Sequence, residues 1–312
     1  MNIYIKTTEQ CNLHCLHCYN PANKIYLDFN KVKNSLDRIT NKKNDDWFIF
    51  HGGEPMLGDN KKMLNLIKYF PNKNWRISTN LCYALTDERL NILKCMKEVR
   101  ISFDCGIRFN NIHTLLLWLK NIKILSKLRV PLFINFSFTK ALIKHDPMDI
   151  IKLVHAFGIK RYAFERITLA GNAKKNTWII PSYEEIDNWL CKLYDTNKYD
   201  ECVEIENVKL GINGEKINTY GPGCCHNTIT INADGTIGNC PNNAIVNSIG
   251  SLDTGINNVI SNIKCKKHLP KQACLICDYF KYCHGWCEQM KWQGTICPYP
   301  KRLADKILGD SQ

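Results

Sequence analysis

The chain lacks any run of 18 apolar residues, so no segment reads as a membrane-spanning helix. Its opening, Met1-Asn2-Ile3-Tyr4-Ile5-Lys6-Thr7-Thr8-Glu9-Gln10, lacks the apolar stretch of a secretory signal. With neither feature the protein is expected in the cytoplasm, without a membrane partner, where thiols stay reduced and disulfides are rare. A long repeat and a low-complexity tract are also missing, and 45% hydrophobic with 23% charged residues excludes a disordered or fibrous chain. Acidic residues are in deficit, 29 against 42 Lys and Arg, for a formal charge of +13. That balance favours an acidic partner: nucleic acid, an anionic cofactor, an acidic peptide or an acidic redox protein. No recognised nucleic-acid motif accompanies the charge, so nucleic acid is not expected.

What the chain does have is cysteine, 17 in 312 residues. So many reduced thiols are an oxidative liability unless most have a use, and the use they suggest is metal or iron–sulfur ligation. They fall in two groups. Cys11, Cys15 and Cys18 lie within eight residues of one another, and nine more lie in the last 89 residues. Between them Cys82, Cys95, Cys105, Cys191 and Cys202 are widely spaced and read as small apolar packing residues.

The intervening body alternates. β-rich runs at Ile3–Thr7, Trp47–Phe50, Trp75–Ser78, Val99–Phe103, Val130–Phe138 and Ile159–Phe164 are separated by helical patterns near 28–41, 59–69, 86–97, 111–127 and 147–157. Six strands alternating with helices predict a parallel α/β structure, a partial barrel or an open sheet, with chemistry at the C-terminal strand ends. A further helix is expected at 182–195, then a polar, Gly-punctuated stretch from Gly211 to Gly223, and then a hairpin, Thr228–Ile231 and Thr236–Ile237, turning at Ala233-Asp234-Gly235. Beyond it the tail reads as loop-rich and in need of metal staples. These shifts suggest three segments, 1–180, 181–220 and 221–312.

Directly after the first strand stands Cys11-Asn12-Leu13-His14-Cys15-Leu16-His17-Cys18, spaced C-x3-C-x2-C. Three thiolates on a tight loop can hold three irons of a 4Fe–4S cube and leave the fourth open for catalysis. A zinc site completed by His14 or His17 is the alternative. After the second strand stands His51-Gly52-Gly53-Glu54-Pro55, where two glycines would let a ligand approach the backbone and Glu54 offers a carboxylate to an ammonium. Together the two motifs, in this order and strand context, resemble the radical S-adenosylmethionine superfamily.

The resemblance implies a partial (β/α)6 TIM-like barrel in which Cys11, Cys15 and Cys18 ligate a 4Fe–4S cluster bound to S-adenosylmethionine. Gly52, Gly53 and Glu54 would hold the cofactor's ammonium, and Ser78, Asn80, Ser102 and Asp104 stand where relatives contact it. His17 occupies a position where relatives usually place Phe or Tyr against the adenine. One electron delivered to the sulfonium would release methionine and a 5′-deoxyadenosyl radical, which abstracts a substrate hydrogen.

The tail runs Cys224/Cys225, Gly235-x4-Cys240, then Cys274-x2-Cys277-x5-Cys283-x3-Cys287 and Cys297. A pair of C-x2-C zinc sites is the plain alternative. The spacing resembles the SPASM extension, a small cysteine-rich domain that in relatives usually carries two auxiliary 4Fe–4S clusters. This implies one or two here: one on Cys274, Cys277, Cys283 and Cys297, another on Cys240, Cys287 and Cys224 or Cys225, with a fourth ligand unassigned. The thiol left over from the Cys224/Cys225 pair, Cys225, could donate a hydrogen atom or simply be buried and idle, and Cys265 is undecided.

Members of this kind act mostly on peptides. The function expected is maturation of a ribosomally made precursor peptide by an intramolecular crosslink, C–C or thioether. The alternatives are a peptide epimerase using Cys225 as donor, a formylglycine-generating sulfatase maturase, a small-molecule dehydrogenase, and a non-catalytic metal-stapled binding module. Pro241 follows Cys240 where sulfatase maturases usually carry Asp, which lowers that option. Only ten residues precede Cys11, so a leader peptide is expected to bind a separate protein or the barrel and tail. An acidic flavodoxin or ferredoxin would suit the basic charge as electron donor. Lys160, Arg161 and Arg166, placed near the end of the sixth strand, are candidates to face an acidic substrate. His113, His145, His155 and His268, and the lysine runs Lys42-Lys43 and Lys264-Lys266-Lys267, read as structural or solvated.

Overall fold

The computed structural model describes residues 1–39, 46–109, 111–215, 217, 224–242, 248–265, 270–287 and 289–310, with backbone alone for 264 and 265. The end of the first helical pattern at 40–41, Lys42-Lys43, Gly221 and Gly223, Lys266-Lys267 and His268 lie outside the described residues, as do the side chains of Lys264 and Cys265.

The strands are β1 (Asn2–Thr8), β2 (Trp47–Gly52), β3 (Asn74–Thr79), β4 (Glu98–Phe103), β5 (Leu132–Ser137) and β6 (Arg161–Glu165), connected through helices α1 (Phe29–Ile39), α2 (Asn60–Tyr69), α3 (Asp87–Lys94), α4 (Ile112–Lys127) and α5 (Pro147–Ala156). All six strands pair in parallel, in sequence order. Several helices start where a short polar side chain accepts an orphan backbone N–H: Asp59 from Lys62, Thr86 from Arg89, Asn111 from Thr114 and Asp146 from Met148. Each such cap contributes about 1 kcal/mol. After β6 come α6 (Tyr183–Asp195), which opens on a Ser182/Glu185 capping box, then β7 (Glu201–Cys202) and α7 (Val203–Ile212).

Strand alternation separates two chemistries. One face of the sheet carries Ile3, Ile5, Phe48, Phe50, Trp75, Ile77, Val99, Ile101, Ile134, Phe136, Tyr162 and Phe164, all buried in one apolar core under the helices. The other face is polar over much of its area. Register puts Lys6 beside His51, Ser78 beside Arg100, Ser102 beside Asn135 and Ser137 beside Glu165. Toward the floor of this face Glu98 is ringed by Arg76 (2.7 Å), Arg100 (2.6 Å) and Arg161 (3.8 Å).

Residues 201–312 depart from the expectation in three ways. The hairpin forms, as β8 (Thr228–Ile231) and β9 (Thr236–Gly238), but β8 also pairs in parallel with β1 and extends the barrel sheet. With β7 on the opposite edge and β10 (Gly250–Ser251) beyond β9, the sheet runs β10-β9-β8-β1-β2-β3-β4-β5-β6-β7. The second difference is α7, in the segment before the tail, where no helix was expected. Third, the tail has helices at Ile256–Cys265 and Lys301–Asp310, and the latter buries Leu303, Ala304 and Ile307. Its N-terminus is capped from another element: Asp187 of α6 accepts the amides of Arg302 (2.9 Å) and Leu303 (3.0 Å). A cap supplied 115 residues away leaves no local sequence signal.

Candidate active site

The cluster loop leaves β1 at the C-terminal edge of the sheet and is braced by its neighbours. Gly53 donates its amide to Thr8 O (3.0 Å) and Glu54 to Gln10 O (2.9 Å). Asn12 donates to Cys82 O (2.6 Å), Asn20 to Glu9 O (2.7 Å), Asn172 to Cys15 O (3.2 Å) and Asn176 to Leu16 O (3.1 Å). The contacts come from the end of β2, the loop after β3 and the segment after β6.

The two glycines take part in this bracing. A Cβ on Gly52, at φ +135°, would lie 2.1 Å from Thr8 O, and one on Gly53 would lie 2.3 Å from Gln10 O, so glycine lets the cluster loop's own backbone come close. Glu54 is fully buried, and its carboxylate accepts from Met56 N (3.1 Å), Thr79 Oγ1 (2.8 Å) and Asn80 N (2.7 Å). In this structure it clasps the ends of β2 and β3 together. Burial pushes its pKa up to about 7, against the pull of those hydrogen bonds.

Asn80 turns toward the cluster loop. Its Nδ2 donates to Asn12 Oδ1 (2.8 Å) and lies 3.7 Å from Cys11 Sγ, and its Oδ1 accepts from Cys82 N. Two backbone amides also reach the thiols, Leu13 N to Cys11 and Asn20 N to Cys18, each at 3.4 Å. Hydrogen bonds to sulfur of this kind are a means by which a protein tunes an iron–sulfur cluster. Ser78 and Ser102 stand on the inner face by register.

His17 and Asp104, picked from separate segments, meet. His17 Nε2 lies 3.5 Å from Asp104 Oδ2 and 3.4 Å from Ser137 Oγ. Asp104 also accepts from Ser137 N (2.9 Å) and pairs with Arg108 (2.5 Å). Burial opposes the charge on Asp104, but Arg108 and then His17 outweigh it and hold the carboxyl below its usual range. Burial lowers the His17 pKa against the pull of Asp104, so the ring is neutral at physiological pH. Among the described residues its Nδ1 makes no hydrogen bond. Arg108 escaped the sequence reading, although its i, i+4 spacing from Asp104 was the available signal.

Lys6, Tyr19 and His51 were also missed as site residues. Tyr19 stacks on His51 with ring centroids 6.4 Å apart, and burial lowers the His51 pKa to about 3. The signal was in β1, where Tyr4 and Lys6 alternate with Ile3 and Ile5 and so face the opposite side. Lys160 and Arg161 prove to lie at the start of β6, away from the cluster loop, with Arg161 facing Glu98, Glu201 and Glu206. Arg166 does follow the end of β6, but is buried over Phe138 and Trp286.

The tail thiols sort into two groups. The charges of Cys224, Cys240 and Cys287 act on one another, as do those of Cys274, Cys277, Cys283 and Cys297. The first group contains Cys224, the half of the adjacent pair that also contacts Thr228 Oγ1 (3.9 Å). Between Cys283 and Cys287 the backbone is left-handed at three successive residues, His284, Gly285 and Trp286 (φ 49°, 86° and 56°). For a bulky Trp this is a strained conformation.

The residues fit clusters. Cys11, Cys15 and Cys18 are free thiols whose charges act on one another, and burial pushes Cys11 up to about 11. A buried thiol becomes a stable thiolate when a metal takes the place of its proton. Among the described residues no three His, Cys, Asp or Glu side chains converge as they would around one ion. A cube makes no such demand, since each of its thiolates holds a different iron.

A family profile described as a 4Fe-4S single cluster domain matches residues 4–116. The uncharacterized protein MJ0907 of Methanocaldococcus jannaschii is 31% identical over 209 residues, covering 62% of this chain and 71% of that one. Among solved structures, native anSMEcpe with bound AdoMet and Cp18Cys peptide aligns over 99% of this chain and 95% of its own, with TM-score 0.77 and 18% identity. Streptococcus suis SuiB bound to the precursor peptide SuiA aligns over 92% and 72%, with TM-score 0.64 and 17% identity. The fold is that of these solved structures, and the profile match places a 4Fe-4S single cluster domain in its first third. The chain belongs to the same family as the Methanocaldococcus jannaschii protein.

Proposed function

We propose that the protein matures a ribosomally made precursor peptide by closing an intramolecular crosslink, C–C or thioether. The observation that carries the reading is the braced loop of three free thiols at the C-terminal end of a parallel sheet whose inner face is polar. Cys11, Cys15 and Cys18 would hold the catalytic cluster; the strand ends at Gly52–Glu54, Ser78 and Ser102 would border S-adenosylmethionine, with His17 oriented by Asp104. When bound, cluster and cofactor supply one-electron cleavage of a sulfonium and hence a hydrogen-atom acceptor. Closing a crosslink removes two hydrogens: one leaves as an atom, the other as a proton and an electron, so a one-electron acceptor is needed. The tail thiols, as ligands of one or two auxiliary clusters, would provide it.

A peptide substrate is supported by the similar solved proteins, anSMEcpe holding Cp18Cys and SuiB holding SuiA. A cleft between Ile167–Leu169 and Gln289–Gln293 borders the segment after β6, on the side where the tail closes over the barrel. An acidic flavodoxin or ferredoxin fits the +13 charge as electron donor. Co-expression with a precursor peptide encoded alongside, followed by mass spectrometry, tests the reading. The expected result is loss of two hydrogens. An unchanged mass with one solvent deuteron incorporated would replace crosslinking with epimerisation, and an unmodified peptide would overturn both.

A further inference from the structure

Lys6 is the one lysine of β1. It is 0% exposed, and among the described residues its Nζ has no hydrogen-bond partner. Enclosing an ammonium without a counter-charge costs several kcal/mol, so a residue kept there implies an anion. The protein groups around it do not fill that role at contact distance. The Tyr19 ring lies 5.6 Å away, and His51, its register neighbour on β2, is neutral. Glu9 beyond the end of β1, then Cys240, Asp234 in the β8–β9 turn and Cys18 are, in that order, within electrostatic reach, and among the described residues none forms an ion pair with it. Lys6 thus stands between the cluster loop and the first group of tail thiols. Burial lowers its pKa to about 8, which leaves it largely protonated at neutral pH.

We infer that the Lys6 ammonium is the counter-charge of the cluster held by Cys11, Cys15 and Cys18, and is a positioning residue that makes this cluster easier to reduce. The inference rests on the cluster reading above. A thiolate-ligated 4Fe–4S core is anionic and gains one more negative charge when it accepts an electron. A fixed cation nearby favours the reduced form, and the effect is strong because the site is enclosed. No proton moves, and the electron comes from an external low-potential donor. This anion is favoured over a substrate carboxylate because the cation is closed off from solvent and adjoins the residue next to a cluster ligand, Tyr19 beside Cys18.

The test is an EPR-monitored reductive titration of the full, anaerobically reconstituted protein. The relevant cluster is recognised as the signal that changes on adding S-adenosylmethionine. Lys6→Met should disfavour its reduction at least tenfold, which is 59 mV for a one-electron couple, with unchanged iron content. Lys6→Arg should restore the native potential. If Lys6→Met does not fold, Lys6→Gln carries the same expectation. An unshifted potential in a fully loaded neutral variant overturns the inference alone and assigns the charge to a substrate. A native chain that takes up no iron, or shows no signal responding to S-adenosylmethionine, overturns the functional reading as well.

Discussion

The two cysteine regions solve one problem in opposite ways. The N-terminal loop is held by amide and asparagine contacts from the ends of β2 and β3 and from the segment after β6, so its shape is set by the scaffold. Of the tail thiols, Cys274 and Cys283 sit on single helical turns, Gln272–Leu275 and Phe280–Cys283, and a run of left-handed backbone at 284–286 leads on to Cys287. Local i to i+3 bonds hold these turns, and Trp286 and Tyr299, 5.3 Å apart, tie them to the main apolar core. On the proposed reading the first region would hold its cluster for chemistry alone. The second would draw shape as well as an electron acceptor from ligation, because its left-handed backbone is strained.

This contrast breaks most sharply on ligand substitutions. Cys15→Ala should abolish 5′-deoxyadenosine formation while circular dichroism and the melting temperature stay near native. Cys283→Ala should instead lose iron and also make residues 270–300 an early site of limited proteolysis. If both variants show equal protease sensitivity, the distinction fails.

A smaller but still large effect is expected from the bracing itself. Gly53→Ala forces a Cβ onto Gln10 O at 2.3 Å and should cost about 3 kcal/mol or more in urea unfolding. A cost of a few tenths would show that the loop is not clamped. Asn80→Ala should cost about 1–3 kcal/mol by leaving its partners at Asn12 and Cys82 unpaired. It should also change the EPR line shape of the cluster signal that responds to S-adenosylmethionine, through Cys11. Loss of stability with an unaltered signal would make Asn80 a purely structural brace.

The smallest effect lies away from both regions. Burial pushes Glu204 up to about 7, while its Oε2 accepts Phe164 N at 2.7 Å. The folded state therefore keeps a proton that the unfolded chain releases near pH 4.5, so this term is most favourable below that value and is lost as pH rises toward about 7. Glu204→Gln should flatten the dependence of unfolding free energy on pH between about 5 and 7, as read from urea midpoints. An unaltered slope would place the titration elsewhere, Glu54 being the other carboxyl raised to about 7.

Most of the fold was legible because its signals are local. The β-rich runs, the helical patterns between them and the Asp234-Gly235 turn all lie within the elements they define. What was not legible depends on distant partners. The pairing of β8 with β1 joins residues more than 200 apart, and Asp187 caps a helix from another element. At the site, residue types were readable and their assignments only partly so. The tail thiols fall into two groups, and His17 and Asp104 meet. Glu54, Gly52 and Gly53 serve backbone packing that only three dimensions reveal. Lys6 was hidden because a lysine in a short alternating strand reads as a solvated edge until the sheet closes over it.

The central claim is tested most directly by incubating the anaerobically reconstituted, dithionite-reduced protein with S-adenosylmethionine and quantifying 5′-deoxyadenosine and methionine. The account predicts both products in equal amounts from the native chain and neither from Cys15→Ala. A native protein fully loaded with iron and sulfide that forms neither product would contradict it.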